Sequence, residues 1–100
     1  MKKIIQFSVL AVMVALSSQS VFADAAAGKA KAGMCMACHG VNGISSNDIW
    51  PNLAGQKRGY LVKQIKAFRD GKRIDVMMAP MVKSLTDADI DNLSDYYSAM

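Results

Sequence analysis

Cysteine and histidine, the residues that most often staple a small domain or bind a metal, are scarce in this chain. Its 100 residues include two cysteines, Cys35 and Cys38, and one histidine, His39. A structural zinc site takes four ligands, usually as two pairs, so it would need unusual partners here. A disulfide between cysteines this close would constrain only a tiny loop of the unfolded chain and would stabilise the fold little. A different stabiliser is therefore expected.

The sequence also lacks a hydrophobic run long enough to cross a membrane. Its N-terminal apolar stretch, residues 4–16, has thirteen positions, whereas the core of a bilayer takes about 20. Lys2 and Lys3 precede this stretch, a polar segment from Ser17 to Ser20 follows it, and Val21-Phe22-Ala23 then ends on a small residue at the cleavage site. This order is typical of a secretory signal peptide. We predict a signal peptide over residues 1–23, cleavage after Ala23, and no stable membrane insertion of the remaining chain.

A strong excess of positive charge is missing once the signal segment is removed. Lys and Arg then fall from 12 to ten, all eight acidic residues remain, and the formal charge falls from +4 to +2. No basic arm is left to bind nucleic acid. Residues 24–100 form a single domain, and a domain of this size buries only ~60% of its unfolded surface. Such a domain usually needs a staple, and with disulfides excluded we expect a cofactor.

The few cysteines and the histidine are placed together. Residues 35–39 read Cys-Met-Ala-Cys-His, the C-x-x-C-H pattern of haem attachment. Two thiols three residues apart lie on one side of a helical turn, where they can reach two adjacent vinyl groups, and His39 is then directed at the iron. A thioredoxin-like pair would need a βαβ framework, which is missing, and a plain disulfide would leave His39 without a role. The motif predicts one haem c, bound covalently through Cys35 and Cys38.

Methionine, by contrast, is well represented, and three methionines lie close together. Met77, Met78 and Met81 occur in the segment 75–82, beside Pro80. The haem of an electron carrier needs a second axial ligand, and a methionine thioether raises the potential of the iron. Methionine more often fills gaps in a core, so at least one of the three is expected to do so. We predict that this segment is an extended loop that covers the second haem face.

Three other segments of the domain show sequence patterns typical of helices. An Ala- and Lys-rich stretch over residues 24–34 favours a helix that runs into the haem motif. Apolar residues recur at helical spacing over residues 58–69, and Gly71 follows as a helix-ending glycine. Thr86 with Asp89 resembles a capping box that opens a last helix.

The connection between the first two helices is rich in loop-forming residues. Residues 40–55 contain Asn, Ser, Gly and Pro, and their apolar members Ile44 and Trp50 are expected to pack on the haem edge. No segment is convincing as a strand. The predicted fold class is all-α, with three main helices and long loops wrapped around one covalent haem.

Several segments together resemble one family. They are Cys35-x-x-Cys-His-Gly40, Trp50-Pro-Asn-Leu-Ala-Gly-Gln56, Met77-Met-Ala-Pro-Met81, Leu85-Thr-Asp-Ala-Asp-Ile90 and the pair Tyr96-Tyr97. The chain resembles the bacterial periplasmic class I cytochromes c, most closely their short monohaem members and the repeated domain of the dihaem ones. The resemblance covers essentially all of residues 24–100 and implies the cytochrome c fold. It also implies that the first and last helices cross at Gly28, against Tyr96 or Tyr97.

The resemblance implies roles for the residues of the haem motif. Cys35 and Cys38 would form the two thioethers, and His39 would be the proximal ligand of the iron. The carbonyl of Pro51 would accept a hydrogen bond from the other ring nitrogen of His39 and so fix its tautomer.

The resemblance also ranks the methionines. In the family, the ligand methionine precedes the capping residue of the last helix by a distance that suits Met78, eight positions before Thr86. Many members place Pro directly after this methionine, whereas Ala79 follows Met78 here. Met78 is therefore the expected axial ligand, with Met81 and then Met77 as alternatives.

The predicted function is that of a periplasmic electron carrier, one that is not an enzyme and that transfers single electrons through a His/Met-ligated haem c. Its partners would be membrane or periplasmic oxidoreductases, and the protein is expected to be a monomer. One alternative is a haem subunit through which a larger redox complex receives electrons. Another, if no methionine binds the iron, is a haem-based sensor or weak peroxidase.

The basic residues in and beside the middle helix form either a docking face for an acidic partner or an ordinary solvated face. They are Lys57, Arg58, Lys63, Lys66, Arg69, Lys72 and Arg73.

Overall fold

The computed structural model describes residues 2–3 and 24–100. The predicted signal peptide therefore lies outside the described residues, apart from Lys2 and Lys3, and so does the residue that precedes its cleavage site. Within the described part of the chain, no helix has the length and apolar character needed to cross a bilayer.

Helices organise residues 24–100, and no strand occurs within that range. In chain order the helices are α1 (Ala25–Lys31), α2 (Gly33–His39), α3 (Arg58–Arg69), α4 (Met78–Val82) and α5 (Asp87–Ser98). The predicted all-α class is confirmed. Helices α3 and α5 lie where the sequence predicts them, whereas the predicted first helix is divided at Ala32 into α1 and α2.

The ends of the long helices follow from local hydrogen bonding. Helix α5 opens with the predicted capping box, in which Asp89 N–H donates to the Thr86 hydroxyl (3.1 Å) and the Asp89 carboxylate accepts the Thr86 N–H (3.0 Å). Gly71 follows α3 with a φ of 77°, the left-handed conformation that favours glycine after a helix. Helix α1 begins after Asp24, whose carboxylate accepts the N–H of Ala26 at 2.8 Å.

The segment 75–82 is not the extended loop that its sequence predicts. Its second half forms the short helix α4, in which Pro80 is the third residue. Proline breaks the interior of a helix but is tolerated in the first turn, where backbone N–H groups have no partner within the helix. The expectation of an extended segment was therefore wrong, because Pro80 occupies the first turn of a helix.

The core lies where α5 packs against α1 and α3. Its almost fully buried apolar side chains are Ala32, Leu61, Val82, Leu85, Ile90, Leu93 and Tyr97. This is a thin core, as expected for a domain of this size. Five of the seven residues also line a large cleft, so the core and the cleft share a wall.

Helices α1 and α5 cross in backbone contact at Gly28. A Cβ atom on this buried glycine would lie 2.0 Å from the carbonyl oxygen of Asn92 and 2.8 Å from Cβ of Tyr96. Real Cβ atoms do not approach backbone atoms so closely, so only glycine fits here. The predicted crossing of Gly28 and Tyr96 is confirmed.

We expect Gly28→Ala to lower the free energy of unfolding by about 1–3 kcal/mol, because the backbone of α5 must move to admit the methyl group. Urea and thermal unfolding measure the change. Gly59→Ala is the matched control, since Gly59 is also helical and a Cβ there would meet no atom within 4 Å. The control should be neutral or stabilising, because glycine costs a helix roughly 1 kcal/mol relative to alanine. Equal stability of the two variants would contradict the close crossing.

Candidate cofactor site

A cleft of about 610 Å³ lies between α2, the segment 49–56, α3 and α4. Its volume falls in the usual range for a cofactor site, ~300–1,000 Å³. Leu61, Ile65 and Phe68 form its α3 wall, and Leu93 and Tyr97 contribute from α5. Mainly apolar walls of this kind suit a large, flat, apolar ligand.

The thiols of Cys35 and Cys38 line this cleft from α2, and neither is in a disulfide. Burial raises the pKa of the Cys35 thiol; the Tyr97 hydroxyl opposes that effect and the Cys38 thiol adds to it. Because Cys35 and Cys38 both line the cleft, their thiols lie on the same side of α2, as the motif predicts.

The ring of His39, the last residue of α2, is buried and has a fixed orientation. Its Nδ1 lies 2.7 Å from the carbonyl oxygen of Pro51. A carbonyl can only accept, so Nδ1 must carry the proton and donate, which leaves the lone pair on Nε2. This is the contact that the resemblance implies for Pro51. It leaves the imidazole with one free nitrogen for a metal.

The turn after α2 and the loop beyond it position Pro51. Gly40 has a φ of 90°, and a Cβ there would lie 1.9 Å from the carbonyl oxygen of Ile44. Leu53 and Ala54 both donate their N–H to the Gly43 carbonyl, at 2.9 and 3.0 Å. The chain therefore folds back over α2 and presents the Pro51 carbonyl to the histidine.

The three clustered methionines, Met77, Met78 and Met81, all line the same cleft. Met78 is half-buried and packs against the core, whereas Met77 and Met81 are 51% and 44% exposed. The Asp75 carboxylate accepts hydrogen bonds from the backbone N–H groups of Met78 and Met77. Both bonds lower the pKa of the Asp75 carboxyl group, the bond from Met78 more than the bond from Met77. The structure thus offers several thioether sulfur atoms near one histidine.

The apolar residues of the long loop divide between the cleft and the surface. Trp50 is half-buried and lines the cleft, as predicted. Ile44 does not line it and is 50% exposed, so the expectation that Ile44 packs on the cofactor edge was wrong. Ile49 lines the cleft instead.

The sequence analysis did not predict that the hydroxyl of Tyr97 lies beside the Cys35 thiol in the site. Its side chain is almost fully buried, and its hydroxyl has no nitrogen or oxygen partner within residues 24–100. The polar group beside it is the Cys35 thiol; burial and then this thiol raise the pKa of the tyrosine. The helical spacing of Leu93 and Tyr97 shows that both face inward, but it does not show what Tyr97 meets there.

Two polar side chains on the edge of the cleft were also missed. Arg73 lies over the ring of Phe68, with its Cζ atom 4.5 Å from the ring centroid. Its Nη1 donates to Oε1 of Gln64 at 2.8 Å, and both residues line the cleft. No local pattern in the sequence connects residues 64, 68 and 73, because the contact depends on how the chain turns back after α3.

These residues fit a covalently attached haem better than a bare metal ion. No group of three or more His, Cys, Asp or Glu side chains able to hold a metal occurs among the described residues. The cleft instead combines two free thiols on one helix, one imidazole with a free Nε2, several thioethers and apolar walls. This set supplies the attachment points and axial ligands of haem c.

Comparison with known proteins agrees with this chemistry. The profile of the cytochrome c family matches residues 25–99. Cytochrome c-554(548) of Halomonas halodenitrificans is 48% identical over 79 residues, which cover 76% of this chain and 95% of that protein. Cytochrome c4 of Pseudomonas aeruginosa is 43% identical over 76 residues, which cover 76% of this chain and 38% of that protein. The structure of Acidithiobacillus ferrooxidans cytochrome c4 matches with a TM-score of 0.74 and 32% identity, over 84% of this chain and 54% of that one.

The matches confirm both the predicted family and the predicted fold. The chain spans nearly the whole length of the first relative but less than two thirds of the cytochrome c4 chains. The family match includes Cys35, Cys38 and His39, so the motif and the family point to the same covalent cofactor. The chain therefore belongs to the cytochrome c family, whose members are electron carriers rather than enzymes and hold haem c through a Cys-x-x-Cys-His motif.

Proposed function

We propose that this protein is a periplasmic one-electron carrier in which His39 and Met78 are the axial ligands of haem c. The hydrogen bond between His39 Nδ1 and Pro51 carries the proposal, because it leaves Nε2 free in a cleft that also holds thioether sulfur. Met78 is favoured over Met77 and Met81 because it alone of the three packs against the core. A ligand restrained by packing stays in place when the charge of the iron changes.

A haem bound in this cleft supplies the Fe(III)/Fe(II) couple on which one-electron transfer depends. The protein sets the environment of that couple. The Pro51 carbonyl holds His39 in one tautomer and one orientation. A thioether ligand favours the reduced iron, and the apolar walls limit the access of water. Fixed ligands and a dry site keep reorganisation small.

The rim of the cleft provides a surface for a redox partner. Ile49, Tyr60 and Val76 line the cleft and are 72%, 50% and 88% exposed. An apolar rim of this kind, beside an accessible cofactor, suits brief contact with another redox protein. The partner class we propose is a membrane or periplasmic oxidoreductase, with this protein acting as a monomer.

The basic residues of the middle helix are not equally available to such a partner. Arg58 forms ion pairs with Asp91 and Asp95, and Arg69 with Asp70 and Asp87. The cations Lys63, Lys66, Lys72 and Arg73 line a shallow depression next to the cleft. These four would attract an acidic partner and raise the rate of encounter, in a salt-dependent way.

Export and cleavage complete the proposal. Cleavage after Ala23 would leave residues 24–100, which contain the whole of the family match at residues 25–99. Asp24 would then be the first residue, and its carboxylate already caps α1. Mass spectrometry of the mature protein tests the position of the cut.

Met78→Ala is expected to abolish the near-infrared sulfur-to-iron band of the oxidised protein and to lower the reduction potential, because the ligand that favours Fe(II) is lost. Added CO should then bind the reduced protein. Absorption spectra and a redox titration measure both effects.

Met77→Ala and Met81→Ala are matched controls, since both residues line the same cleft but are more exposed. Both variants should keep the band. Loss of the band in Met81→Ala but not in Met78→Ala would move the ligand to Met81. A wild-type protein without the band would contradict methionine ligation and favour a sensor or weak peroxidase.

A further inference from the structure

The segment that carries Met78 has little packing of its own to hold it. Residues 71–77 are all exposed, and its large apolar members Ile74 and Val76 are 89% and 88% exposed. Met78 is the first residue after this stretch that contacts the core. Packing restrains the Met78 side chain, but the exposed backbone that leads to it needs a further restraint.

Asp75 supplies that restraint through three consecutive peptide groups. Its Oδ1 accepts the N–H of Met77 at 2.9 Å and that of Met78 at 2.8 Å, and its carbonyl oxygen accepts the N–H of Ala79 at 3.1 Å. The next residue, Pro80, has no N–H to satisfy. One aspartate thus satisfies the donors at the start of α4, which would otherwise have no partner within the helix.

These contacts differ from ordinary capping because the helix is so short. Helix α4 has five residues, and a helix of this length is not stable by itself. Its position depends on the Asp75 bonds before it, on its packing against α3 and on the burial of Val82 at its far end. Removing the Asp75 carboxylate would loosen the backbone at the end of α4 that carries Met78, while the end at Val82 would stay anchored.

We propose that Asp75 is a positioning residue that holds Met78 in place as an axial ligand by binding the backbone N–H groups of residues 77 and 78. This inference rests on the proposed ligation by Met78. The side-chain oxygen has to lie at the distance that an Asp or Asn provides, so its geometry, more than its charge, is required.

Imidazole added to the oxidised holoprotein provides the test, because it binds the iron only when the methionine is displaced. Its apparent affinity therefore reports how firmly Met78 is held. We expect Asp75→Ala to bind imidazole roughly 3- to 30-fold more tightly than wild type, the range that the loss of an N-cap implies, and to show a weaker sulfur-to-iron band.

Two further variants separate geometry from charge. Asp75→Asn keeps an oxygen acceptor at the same distance and should retain the imidazole affinity of wild type. Asp75→Glu keeps the charge but lengthens the side chain, and it should behave like Asp75→Ala. If Asp75→Glu stays like wild type while Asp75→Asn binds imidazole tightly, the charge matters instead and the inference is overturned. This pair decides the question even if Asp75→Ala fails to fold.

Asp89→Ala controls for a general loss of stability. It removes the capping box of α5 but no contact of α4, so it should lower the unfolding temperature without changing imidazole affinity. An equal gain of affinity in Asp89→Ala and Asp75→Ala would overturn the positioning role. Met78→Ala is measured in parallel. If Met78→Ala keeps the band, Met78 is not the ligand, and the positioning role of Asp75 fails with that assignment. If Met78→Ala loses the band but Asp75→Ala binds imidazole like wild type, Met78 remains the ligand and only the positioning role of Asp75 fails.

Discussion

The double variant Cys35→Ser, Cys38→Ser is expected to contain almost no covalently bound haem when the full chain is exported and matured. Both thiols line the cleft and neither is in a disulfide. Each thioether forms when an S–H group adds across a vinyl double bond, with the hydrogen and the sulfur ending on the two vinyl carbons. A serine hydroxyl is a much poorer nucleophile than a thiol and does not replace it. Haem staining after denaturing electrophoresis measures the attachment.

Ala37→Ser is the matched control for this variant. Residue 37 lies between the two cysteines on α2, is exposed, and does not line the cleft. The control introduces the same hydroxyl group into the same helix and should mature normally. The single variants should retain one thioether and accumulate in smaller amounts. Normal haem staining of the double variant would contradict covalent attachment through these two residues.

Much of the fold could be predicted because it depends on local chemistry. The capping pair Thr86 and Asp89, the helix-ending Gly71 and the helical spacing of residues 58–69 each predict a boundary that the structure confirms. At Gly28 the residues alone allow either a close helix crossing or fraying near the N-terminus, and the family resemblance adds Tyr96 or Tyr97 as the partner in a crossing. The structure shows the crossing directly.

The candidate site was predictable only in part. The motif places Cys35, Cys38 and His39 together because they lie within one helical turn. Contacts between distant segments leave no such pattern, and the position of Tyr97 beside Cys35 is one example. The bonds at Asp75 had a local signal, since an aspartate side chain often accepts the backbone N–H two residues on, here that of Met77. Pro80 hid that signal by favouring an extended segment.

The second large effect expected is the loss of cooperative folding when haem is absent. Residues 24–100 have seven almost fully buried apolar side chains, and five of them line the cleft. Without haem, the cleft of about 610 Å³ between α2, α3 and α4 holds no apolar group that joins its walls. A marginal domain has only ~5 kcal/mol of stability in total, so the loss of the contacts that haem makes across the cleft is expected to remove most of it.

Haem-free protein should therefore show reduced helicity and a broad thermal transition by circular dichroism. The helices least affected should be α1 and α5, because Gly28, Asn92 and Tyr96 at their crossing do not line the cleft, although Leu93 and Tyr97 on another face of α5 do. The variant Cys35→Ser, Cys38→Ser purified without haem provides the sample, and the wild-type holoprotein provides the reference. Adding haemin should restore helicity, because His39 is still present to bind the iron. A sharp two-state melt of the haem-free protein above room temperature would show that the small apolar core folds without its cofactor.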